Sequence, residues 1–101
     1  MIVYNVTINL DEAIAEEWLT WMKSIHIPLV MDTGCFEGYK ILKLLNERPD
    51  VEGPTFAVQY FSPDMKTMQK YSSQFAPSLQ KEVKDKYGER LVAFRTLLEE
   101  V

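Results

Sequence analysis

Little in this chain invites covalent or redox chemistry. Its 101 residues include one cysteine, Cys35, and one histidine, His26. A lone cysteine closes no intramolecular disulfide, which fits a reducing cytoplasm. His26 and Cys35, even with Asp32 between them, lack the paired short spacing of a structural zinc site. Four glycines make neither a phosphate-cradling loop nor a paired-glycine fingerprint, and no nucleophile elbow is present. Lys and Arg number 11 against 15 Asp and Glu, a net charge of −4. That sign argues against nucleic acid, which calls for a basic face. No apolar run approaches the roughly 18 residues of a membrane span. Met1 leads straight into Ile2-Val3-Tyr4-Asn5, without the basic and long apolar regions of a signal peptide. The expectation is a soluble cytoplasmic protein with no metal, no cofactor, no nucleic-acid partner and no membrane.

What is present is a pattern read twice. Hydrophobic residues make up 47% and charged residues 26%, close to globular averages, and the length suits one domain over residues 1–101. Ile2 to Leu10 alternate as a strand, with Ile2, Tyr4, Val6 and Ile8 on one face and Val3, Asn5, Thr7 and Asn9 on the other. Asp11 to Ile25 have helical spacing, with Asp11 as N-cap and Ile14, Trp18, Trp21, Met22 and Ile25 as the buried stripe. Pro28 should bend or end that helix, with at most one further turn before Gly34. Phe36 to Leu45 is strand-like again.

The second half repeats the order. Thr55 to Phe61 reads as a strand, Ser62 to Tyr87 as a helix interrupted by Pro77, and Arg90 to Leu98 as a strand. Ser62-Pro63-Asp64 reads as N-cap, proline at the first helical position and an acidic first turn. Gly88 is the stop. Between the halves, residues 46–54 are dense in turn formers. The βαββαβ order predicts an α+β, ferredoxin-like sandwich, a four-stranded antiparallel sheet with two helices on one face.

With the order placed, the chain resembles the dimeric α+β barrel group, known best for antibiotic-biosynthesis-monooxygenase-like domains. The likeness runs through the element order and the turn Asp32-Thr33-Gly34-Cys35-Phe36. The chain is more closely similar to a small bacterial family of unknown function. The matching stretches are Tyr4-Asn5-Val6-Thr7, Trp18 and Trp21 followed by His26-Ile27-Pro28, Val58-Gln59-Tyr60, and Val92-Ala93-Phe94-Arg95-Thr96-Leu97. The barrel resemblance implies a homodimer whose sheets face each other and a small-ligand cleft between sheet and helices. Some members oxidise aromatic compounds without a cofactor and others bind haem through a histidine. Asn5 falls at a first-strand position like the asparagine of the haem-degrading members, whereas His26 lies in the first helical segment rather than their second.

Five residues are candidates for a site. His26, with an ordinary pKa near ~6.5, is either an acid or base exposed by the proline bend, or a capping or core histidine. Trp21 is either core or the wall of a cavity. Asn5 and Gln59, on strands expected to be neighbours, would supply convergent polar groups. Arg95, amid Val92, Phe94, Leu97 and Leu98, reaches solvent at an edge or pairs with a carboxylate or anionic ligand. Cys35 reads as a small buried hydrophobe, with a Cys35–His26 nucleophile pair as the sharper alternative. Three functions remain: a homodimeric domain binding a small apolar or aromatic molecule, a structural dimer with a filled cleft, or a cofactor-free monooxygenase.

Overall fold

A computed structural model describes residues 1–101. The strands are β1 (Ile2–Leu10), β2 (Gly38–Lys43), β3 (Thr55–Ser62) and β4 (Leu91–Glu99). They form one antiparallel sheet in the order β2-β3-β1-β4. This is the α+β, ferredoxin-like order, with β1 central and β2 and β4 at the edges. The helical segments are α1 (Ala15–Trp21), α2 (Ile27–Met31), α3 (Met65–Gln74) and α4 (Ala76–Tyr87). No helix is long and apolar enough to cross a membrane.

Strand alternation decides which face is covered. Ile2, Tyr4, Val6, Ile8 and Leu10 are all buried, while the residues between them are half-buried. In register, Tyr4 lies opposite Tyr60, Val6 opposite Val58 and Ile8 opposite Phe56, so these side chains share the inner face. Trp18, fully buried, tilts against Phe56 with ring centroids 5.1 Å apart. Tyr71 of α3 meets Tyr4 at 5.6 Å and Phe36 at 4.8 Å. Each large side chain so buried is worth about 1.5–3 kcal/mol. The aromatic layer therefore ties both helical runs to β1 and β3.

Pro28 does not end the first helix. The chain stays in the right-handed helical region from α1 to Met31, but Met22–His26 form one π-helical stretch. There the Ile27 N–H bonds the Met22 carbonyl, five residues back. A π-turn inserts one residue and is a recognised way for a helix to absorb a disruption; Pro28, which offers no N–H, follows immediately. The insertion moves the buried stripe on by one position. Ile25 and Leu29 are exposed, and His26, Ile27 and Val30 are buried instead. His26 thus occupies the inward position that regular spacing assigned to Ile25.

Pro77 acts as expected of a breaker. The second helical run divides at Phe75 (φ −120°) and Pro77 sits in the first turn of α4. Its start differs from the sequence reading: Ser62 closes β3, and the cap is Asp64, whose carboxylate accepts from the Thr67 N–H at 2.7 Å. That bond holds the Asp64 carboxyl below the usual range. β2 is also shorter than Phe36 to Leu45, because Phe36 leaves the strand line to join the aromatic layer.

The turn between the halves is held by Asn9, whose amide donates to the Glu52 carbonyl (3.1 Å) and the Thr55 hydroxyl (3.0 Å). Gly53 lies against β1 with φ +74°, and a Cβ there would fall 2.0 Å from the Leu10 carbonyl oxygen. Gly34 also has positive φ (+76°), yet a Cβ there would meet nothing within 4 Å. Gly53→Ala should therefore destabilise by about 2 kcal/mol or more, and Gly34→Ala by about 1 kcal/mol. Urea midpoints at one protein concentration check the order; equal effects would contradict it.

Candidate functional site

The cleft lies where the helices cover β4 least. α4 runs beside this edge strand, and residues of both line an inner cavity of about 40 Å³ with Tyr4, Trp18, His26, Tyr60 and Tyr71. Two open grooves flank the mouth, one of about 250 Å³ and one of about 310 Å³. Arg95 and Gln80 line all three spaces. The inner cavity alone has room for water rather than for a drug-sized molecule, which needs about 300 Å³ or more.

His26 reaches this cavity because of the π-turn. It is only 8% exposed, so the helix-end exposure expected of it is not found. Trp21 stacks behind the imidazole, with centroids 5.1 Å apart and planes 24° apart. Trp21 itself does not line the cavity; Lys86 lies over its ring at 5.6 Å and Tyr87 meets it edge-on. The indole that does line the cavity is Trp18. Burial first, and the Arg95 charge second, pull the His26 pKa down to about 4. At neutral pH the ring is therefore neutral and a weak base, not the poised acid or base that its ordinary pKa suggested.

Two polar atoms here have no protein partner: His26 Nδ1 and the Trp18 indole N–H. Burial pushes the Tyr60 and Tyr71 phenols well above their ordinary range, so both stay protonated. Arg95 stands opposite Val6 on β1 with its side chain on the inner face. Its Nε donates to the Tyr4 hydroxyl at 3.2 Å. The ion pairs of the protein use Arg48, Lys81, Lys86 and Arg90, and none uses Arg95.

Asn5 and Gln59 are not part of this cleft. They face each other across β1 and β3, and Gln59 Nε2 donates to Asn5 Oδ1 at 3.2 Å. Being odd-numbered members of strands whose even positions are buried, they lie on the outer face. The expected arrangement of His26 opposite Asn5 or Gln59 therefore fails on strand alternation. Cys35 is buried and absent from the cavity lining, so it makes no nucleophile pair with His26 there. No group of His, Cys, Asp and Glu is placed to hold a metal ion. Sequence reasoning misses Tyr4, Tyr60, Tyr71 and Gln80. The even positions of β1 and β3 carry the signal for the first two.

The buried histidine makes stability depend on pH. The unfolded chain takes up a proton at His26 near ~6.5, whereas the folded protein resists it down to about 4. Stability from neutral His26 is full above pH ~6.5 and is lost as pH falls toward 4, about 2–3 kcal/mol of it between pH ~7 and ~4.5. Unfolding free energies at pH 7 and 4.5 should drop by about that much more in the natural protein than in His26→Gln. An equal drop in both would contradict the burial of a neutral ring.

Comparison with known proteins agrees with the geometry. The chain superposes on an ethyl tert-butyl ether degradation (EthD) family protein from Bacillus halodurans (TM-score 0.70, 14% identity, 100% of both chains). HapK from Hahella chejuensis gives TM-score 0.71 at 12% identity, over 100% of this chain and 93% of that one. A candidate antibiotic biosynthesis monooxygenase from Deinococcus radiodurans gives 0.56 at 15%, again over 100% and 93%. At such identities the likeness concerns the fold alone, the α+β ferredoxin-like sandwich described above. Among curated proteins no sequence matches this one. The family model that does match spans residues 1–101, and the chain belongs to the family described as Domain of unknown function (DUF4286).

Proposed function

We propose that the protein is a homodimeric, small-molecule-binding domain whose ligand enters between α4 and β4. One observation carries this reading. Trp18 and His26 line the same cavity, each more than nine-tenths buried, and each keeps a nitrogen with no protein partner. An unsatisfied buried polar group costs about 1–3 kcal/mol, so two such groups on residues that line one cavity favour a bound molecule that opens the space far enough to reach them. A filled-cleft structural dimer is the competing reading, favoured by an inner cavity of only about 40 Å³. In the binding reading the ligand's bulk rests in the flanking grooves. A cofactor-free monooxygenase draws on resemblance alone, and neutral His26 is a poor base for it. A reducing cytoplasm suits the single free Cys35.

The homodimer rests on the uncovered sheet face. Phe36, Phe56, Val58 and Tyr60 do not contribute to it, being buried beneath the helices. The outer face is nevertheless apolar at its margins: Leu42, Val92, Phe94 and Leu98 are 45%, 65%, 61% and 46% exposed. A second sheet of the same kind would cover them. Light scattering at micromolar concentration should give twice 11.8 kDa, and Phe94→Glu should give the single mass. A monomeric natural protein would remove the dimer.

The site is tested separately, by screening small aromatic and apolar molecules with indole N–H resonances as the readout. Binders should move the Trp18 resonance, and Val83→Trp, which fills the cleft from α4, should abolish binding. No binder among several hundred compounds at millimolar concentration would favour the filled-cleft dimer.

A further inference from the structure

The charges around the cleft are distributed against the composition of the chain. Acidic residues outnumber basic ones 15 to 11, yet no Asp or Glu lines the inner cavity or either flanking groove. The charged side chains there are Arg95, common to all three spaces, and Lys84 at the outer groove. Neither takes part in an ion pair. Arg95 uses Nε on Tyr4 and its terminal N–H groups have no protein acceptor. The neighbouring polar side chains can each offer a donor as well: the Trp18 indole N–H, the protonated Tyr60 and Tyr71 phenols and the Gln80 amide, none of them carrying a negative charge. A cation held by a tyrosine, among groups able to donate and apolar walls and without a carboxylate partner, selects a negative oxygen group.

We infer that the cleft takes an apolar or aromatic molecule bearing a carboxylate or similar anionic oxygen group, held by Arg95 with the apolar body along α4. This rests on the small-molecule reading above and adds the charge of the ligand. Arg95 is suited to the task because its planar fork matches a carboxylate in two parallel hydrogen bonds. Lys84 adds attraction at the mouth without geometric demand.

The test compares 2-naphthoate with 2-naphthalenemethanol, which share the ring system and differ in charge. Affinities are read from the Trp18 indole resonance in the natural protein, Arg95→Gln and Arg95→Lys, with unfolding midpoints confirming that each variant is folded. The acid should bind at least tenfold more tightly than the alcohol, a usual return for a charge-assisted contact. Arg95→Gln should erase that preference while leaving alcohol binding within about twofold, and Arg95→Lys should keep part of it. Should Arg95→Gln prove unfolded, the preference in Arg95→Lys and its loss at high salt decide the same question. Equal binding of acid and alcohol, or a preference that survives Arg95→Gln, overturns the anionic ligand while the small-molecule reading stands. Failure of both probes to move any cleft resonance at millimolar concentration overturns the two together.

Discussion

A sheet covered by helices on one face only is the constraint on which this structure depends. The even positions of β1 and β3 must pack under the helices, and they do so with rings: Tyr4, Phe56 and Tyr60 from the sheet, Trp18 and Tyr71 from above. Period-two alternation then leaves everything odd-numbered on β1 and β3 to the other side. The Asn5–Gln59 pair lies at the middle of that outer face and the apolar Leu42, Phe94 and Leu98 lie around it. One periodicity thus separates a cleft-forming face from an assembly face.

Coverage of the inner face is uneven, and the cleft follows from that. The aromatic layer seals the centre over β1 and β3, while β4, an edge strand, keeps half-buried Leu91 and Ala93 and the exposed Arg95 beside α4. The break at Phe75, set by Pro77, lets α4 start a new line after α3. On the opposite wall the π-turn before Pro28 brings His26 inward. Both prolines shape the cavity, one by separating two helices and one beside a lengthened turn within a helix. Inside, desolvation keeps His26 neutral and the phenols protonated, so the positive charge at the cleft comes from Arg95 and Lys84.

Much of the fold is legible in the sequence. Alternation over Ile2 to Leu10, the stops at Gly34 and Gly88 and the βαββαβ order all correspond to observed elements. The site is harder to read, for local reasons. A π-turn shifts the buried stripe by one residue, and helical spacing carries no mark of it; only Pro28 signals a disturbance, without its form. Asn5 and Gln59 fall on neighbouring strands as expected, but their face follows from Tyr4 and Tyr60 being buried. Arg95 stands out in the sequence as a cation in an apolar strand. Its lack of a carboxylate partner depends on the distant β1 and α4, which no local window contains.

The central claim is that the space between α4 and β4 receives an anionic apolar ligand in front of Arg95. A crystal structure of the natural protein grown with 2-naphthoate tests it most directly. The account predicts the carboxylate within about 3 Å of the Arg95 guanidinium, with the ring system between α4 and β4. A naphthoate bound on the outer sheet face instead, or a cleft still closed over its own side chains at saturating ligand, would contradict it.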